Sequence, residues 1–200
     1  SGTVRVTSGK SEGGSSGDMI ILGGKSKVGQ GGNLYMKSGA STKQTGGSIT
    51  VRSGSSETSS SGNLDMMTGS GASSGEFSLH SGVASRGHSG SINFRTGQSE
   101  GLSGSIRLAS GTGQNVGGSI ELSAGTSTSS TGGSIQVVSG SSKNGSSGKI
   151  YITTPGVNLN GNSGSVHLNT GTTSLGASGS MRFITGDSSS SPSGAILMKT

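Results

Sequence analysis

The segment Gly47-Ser48-Ile49-Thr50-Val51-Arg52-Ser53-Gly54 decides how the chain is read. Ile49 and Val51 alternate with Thr50 and Arg52. An extended backbone points successive side chains to opposite faces, so the two apolar residues and the Ser53 hydroxyl share one face. A helix would need apolar residues three and four apart, which this stretch lacks. Close variants recur, as in Gly118-Ser119-Ile120-Glu121-Leu122 and Gly133-Ser134-Ile135-Gln136-Val137.

The consensus is Gly-x-apolar-x-apolar-x-Ser/Thr-Gly. With the leading glycine as position one, repeats start at Gly2, Gly17, Gly32, Gly47, Gly62, Gly75, Gly90, Gly104, Gly118, Gly133, Gly148, Gly164, Gly179 and Gly194. The spacing runs from 13 to 16 residues and is mostly 15. Position three is Val4, Met19, Leu34, Ile49, Leu64, Phe77, Ile92, Ile106, Ile120, Ile135, Ile150, Val166, Met181 and Ile196. Position five is Val6, Ile21, Met36, Val51, Met66, Leu79, Phe94, Leu108, Leu122, Val137, Ile152, Leu168, Phe183 and Met198. Both positions are apolar without exception. Position seven is nearly always Ser or Thr, as at Ser8, Ser53, Thr96, Thr170 and Thr185. A glycine usually follows, for example Gly54, Gly82, Gly111 or Gly140, where a turn through positive φ is expected because glycine adopts it at little steric cost. Six or seven small polar residues then lead to the next repeat.

This pattern predicts an all-β fold: a single-chain parallel β-solenoid (β-helix), with residues 1–200 forming one continuous array. About fourteen two-sided coils would stack about 4.8 Å apart, giving a rod roughly 65 Å long. Positions three and five would then form two core ladders and position seven a hydroxyl ladder. One coil alone buries too little to fold, so the stability of such an array grows by nearest-neighbour addition. An antiparallel meander would leave the apolar face uncovered, against the need of a sheet to bury it. The repeat at Gly62 is shortened and the one at Gly148 lengthened, both outside the apolar strip, and Pro155 and Pro192 fall at turns, where a residue lacking a ladder donor belongs.

Composition sets limits on function. The chain has 42 glycines in 200 residues, 25% hydrophobic and 2% aromatic content, far from an ordinary globular domain. The net charge is +6, but only 11% of residues are charged, so the basic excess reads as spread thinly. Lys and Arg form no run, and Phe77, Phe94 and Phe183 sit in apolar slots, which excludes the usual nucleic-acid-binding pattern. There is no cysteine to form a disulfide or thiolate metal site. No stretch approaches the roughly 18 apolar residues of a membrane span. With no initiator Met or signal peptide, the chain reads as a mature product or a fragment.

No constellation for chemistry emerges, and no enzyme, cofactor or metal is expected. His80, His88 and His167 lack partner carboxylates in sequence, and Asp18, Asp65 and Asp187 are isolated, so neither a metal site nor the calcium-binding nonapeptide of repeat toxins is present. Gly9-Lys10-Ser11 and Gly24-Lys25-Ser26 resemble the end of a phosphate-binding loop, but the required earlier glycine is Val4 or Met19. The serines have no base and orienting acid in repeat-equivalent positions for nucleophilic catalysis. Asn144-Gly145-Ser146 is the single N-glycosylation sequon, in a return segment. The run Thr126-Ser127-Thr128-Ser129-Ser130-Thr131 offers hydroxyls for O-linked sugars or a hydrated wall.

The Gly-Gly-Ser-Ile-x-Leu/Val-x-Ser-Gly repeats resemble Gly/Ser-rich β-solenoid repeats of very large extracellular proteins of microbial eukaryotes, of the fibre and adhesin type. The resemblance covers all fourteen repeats, carries over no functional residue, and implies secretion and a structural or adhesive role. A filament or surface scaffold is the expected function. The chain starts one residue before a repeat glycine and stops at Thr200, position seven of a repeat, so neither end has the polar cap of a finite solenoid. Self-association, head to tail or as continuation of the array, is the expected partnership, with extracellular polysaccharide second. An adhesin for carbohydrate or anionic surfaces is an alternative. An ice-binding protein is another, although its flat regular face is not matched by Arg5, Ile20, Tyr35, Thr50 and Asp65 at position four.

Overall fold

A computed structural model describes residues 2–157 and 161–199. Ser1 and Thr200, at the ends of the expected array, lie outside the described residues, as do Asn158, Leu159 and Asn160. Among the described residues there is no helix and no strand. The all-β solenoid is therefore corrected. Its coils required a ladder between each apolar strip and the strip of the next repeat, and no such bridge forms. The chain divides into two units, Ser1–Ser99 and Glu100–Thr200, and the division falls in the bend at residues 100 and 101, inside the repeat that starts at Gly90.

What the repeat does specify is a local geometry that recurs within both units. Bends fall at repeat positions 11 to 13, as at residues 27–29, 42–44, 57–59, 128–130, 143–145 and 174–176. A hydroxyl at position ten closes each of these. Ser26, Ser41, Ser56, Ser127, Ser142 and Thr173 accept the backbone N–H three residues on, at 2.9–3.2 Å. Ser11 and Ser188 do the same toward Gly14 and Ser191, both at 3.1 Å. Short hydroxyl side chains make such local bonds readily and divert the backbone from ladders. The serines of Gly9-Lys10-Ser11 and Gly24-Lys25-Ser26 belong to these turns, which accounts for the recurrence of the triplet. Where position ten is Gly113, the Val116 carbonyl occupies the space a side chain would need.

A second bond closes the segment from position eight to the next leading glycine. The N–H groups of Gly32, Gly47, Gly62, Gly118, Gly133 and Gly148 donate to the carbonyls of Gly24, Gly39, Gly54, Gly111, Gly125 and Gly140, at 2.8–3.1 Å. These partners are seven or eight residues apart, whereas stacked coils would pair residues about fifteen apart. The expected turn through positive φ at position eight is also corrected. Among the described residues only Gly87, at φ 89°, has positive φ, and it lies in a bend whose position ten is Ala84, without a hydroxyl. The steric constraint falls instead on some leading glycines, Gly32, Gly118 and Gly133 among them, and on Gly23 at position seven, whose Cβ would lie 2.5 Å from the Gly32 carbonyl oxygen. A Cβ on Gly32 would lie 2.9 Å from the Gly24 nitrogen, and one on Gly133 would lie 3.2 Å from the Gly125 nitrogen and 3.3 Å from the Ala124 Cβ.

Among the described residues none is buried. The accessible surface is 20874 Å², about two and a half times the roughly 8,500 Å² expected of a compact monomer of this mass. The five least exposed of the described residues are Ser38, Thr96, Ala124, Ser139 and Thr185, and every one occupies position seven. At Ser38, Ala124 and Ser139 the backbone bond from the next leading glycine to position eight lies beside them.

Candidate functional site

The feature repeated most faithfully is the apolar strip, and the structure leaves it uncovered. The eighteen side chains expected to fill the core ladders, from Val4 and Val6 to Met181 and Phe183, are 46% to 91% exposed. Position three is the better shielded in most repeats. Ile92, Ile120 and Met181 are 46%, 54% and 46% exposed, against 70%, 70% and 66% for Phe94, Leu122 and Phe183 at position five. No second surface covers the strip.

Position seven borders the strip and ties it to the following repeat. The Ser38 hydroxyl donates to the Gly47 carbonyl at 2.8 Å, Ser110 to Gly118 at 2.9 Å, and Thr154 to Gly164 at 3.1 Å. In the first two the backbone bond between glycines lies alongside. In the third, position eight is Pro155. The strips that start at Gly32, Gly47, Gly118, Gly133 and Gly148 therefore begin and end at a bonded junction, which sets where each pair of apolar side chains stands relative to its own loop.

Elsewhere the side chains are dispersed. Among the described residues no group of three His, Cys, Asp or Glu is placed to hold a metal ion. Ser165 and His167, at positions two and four of one repeat, share a hydrogen bond of 2.8 Å, a pair the sequence reading did not single out. Its signal was the spacing of two in an extended strip, which also joins the Asn33 Nδ2 to the Tyr35 hydroxyl at 3.1 Å. Among the described residues no carboxylate is bonded to this imidazole, so the triad logic of base and orienter has only its first half there. An open depression of about 600 Å³ is lined by Asn93, Phe94 and Arg95, and one of about 400 Å³ by Arg95, Thr96, Gly97 and Gln98.

Asn144 lies exposed in the bend at residues 143–145, whose Gly145 N–H is bonded to Ser142 at 2.9 Å. The hydroxyl run at residues 126–131 supplies one turn of the same kind, Ser130 to Ser127 at 3.0 Å. Among the described residues no helix is long and apolar enough to cross a membrane. No protein-family model, no curated protein sequence and no solved structure matches the chain.

Proposed function

We propose that this chain is a structural repeat protein acting outside the cell as a filament or surface scaffold, and that its repeats associate through their apolar strips with those of another copy. The observation that carries the reading is the exposure of the same two apolar side chains in every described repeat, between 46% and 91%, at a nearly constant spacing. Fully covering one such side chain is favourable by about 1.5–3 kcal/mol. A second copy carries strips at the same spacing, so matching one pair aligns its neighbours.

The turns alone do not supply a fold. Each hydroxyl-closed bend contributes a net of about 1 kcal/mol, less than the ordering of its own few residues requires. Covering the strips from outside is therefore the step that orders the chain. The small charged fraction, 11%, offers little repulsion to that approach. The extracellular setting rests on the resemblance to Gly/Ser-rich repeat proteins.

Electron microscopy of the purified chain at rising concentration tests the reading. Filaments or sheets of uniform thickness that grow with concentration are expected. Dispersed single chains at every concentration would overturn it.

A further inference from the structure

Charge is unevenly distributed along this chain. Seven of the fourteen basic residues and two of the eight acidic ones lie in residues 1–52, giving this quarter a net charge of +5 and the remaining 148 residues +1. The basic excess, read from composition as thinly spread, is concentrated in the first repeats.

The bends give that charge a regular placement. Lys10 precedes Ser11, Lys25 and Lys27 flank Ser26, and Lys43 follows Ser41 by two residues. These three hydroxyls close the bends of three consecutive repeats. Lys37 and Arg52 stand at the outward position six of their strips, and Arg5 at position four. All seven side chains are exposed. Lys10 pairs with Glu12 at 3.8 Å. Among the described residues the other six have no ion-pair partner. Among later bends of the same kind, the one at residues 57–59 contains Glu57, those at 128–130 and 174–176 carry no charge, and the one at 143–145 holds the single cation Lys143.

We propose that residues 5–52 bind a linear acidic polysaccharide. Unpaired cations recurring at the repeat spacing meet a polymer with recurring fixed anions, and each contact raises the effective concentration for the next. Sulfate and carboxylate groups on sugars need only such cations. A single-stranded nucleic acid gains its affinity from bases stacked on successive aromatic rings as well, and Tyr35 is the one aromatic residue in this quarter. Polysaccharide binding does not require association of the chains, so it stands or falls separately from the proposed assembly.

The test uses the full chain, diluted below any association, with heparin as the probe. Two variants are compared that lower the net charge equally: K25Q/K27Q/K37Q/K43Q, and R86Q/R107Q/K143Q/R182Q in the rest of the chain. All eight positions are exposed, so neither variant disturbs a packed contact. The first is expected to bind heparin at least about tenfold more weakly than the parent, with a shallower dependence on salt because fewer counterions are released. The second is expected to stay within about threefold of the parent. Equal losses in both variants would overturn the inference, since net charge alone would then govern binding. Failure of the parent chain to bind heparin, or binding of single-stranded DNA as tightly as heparin, would overturn it as well.

Discussion

At the scale of single residues, glycine at position one and glycine at position eight have different reasons to be there. Position eight faces open space, since a Cβ on Gly125 or Gly54 would have no neighbour within 4 Å. Position one approaches the backbone of the preceding junction, as Gly133 does at 3.2 Å from the Gly125 nitrogen. Gly133→Ala is therefore expected to lengthen or break the Gly133 to Gly125 bond, and Gly125→Ala to leave it intact. Amide hydrogen exchange at residue 133 checks this, with exchange about fivefold to tenfold faster in the first variant, the equivalent of one net hydrogen bond, and unchanged in the second. The identity of these glycines was legible in the sequence as punctuation, but their reasons were not. A close approach depends on which carbonyl or nitrogen faces the missing side chain, and no pattern of residue types carries that. The hydroxyl at position ten was also overlooked, because Ser26 or Ser41 among small polar neighbours looks like filler until the N–H three residues on is seen to point at it.

At the scale of the element, alternation announces which side chains share a face. The Ser165 to His167 bond shows two positions a spacing of two apart meeting on one side. What alternation cannot announce is the partner. A strand is defined by a ladder to another strand, and the pairing of two strips depends on contacts distant in sequence. The prediction of coils supplied that partner from the next repeat. The structure instead pairs position eight with the following glycine, so local bonds take the groups a ladder would have used. If the strip is the association surface, replacing three residues at position three, Ile49→Ser, Ile106→Ser and Ile135→Ser, should weaken self-association at least about a hundredfold, given about 1.5–3 kcal/mol for each side chain covered. Replacing outward neighbours, Thr50→Ser and Gln136→Ser, should leave it within about threefold. Light scattering against concentration distinguishes the two sets.

At the scale of the whole molecule, the absence of any buried side chain among the described residues means that isolated chains have little to hold them beyond their turns. Repeats of this kind draw stability from neighbours, and in the proposed assembly those neighbours come from another chain. Association driven by apolar surface strengthens in sulfate, which is excluded from protein surfaces. Binding of the basic first quarter to an acidic polymer weakens as salt rises. The two activities therefore separate in a single salt series. Sedimentation velocity of the full chain across a wide concentration range decides whether the exposed strips associate. A weight-average mass that climbs steadily above the 19.3 kDa of one chain, and climbs further in sulfate, is expected. A mass fixed at that of one chain under every condition would contradict association of the strips.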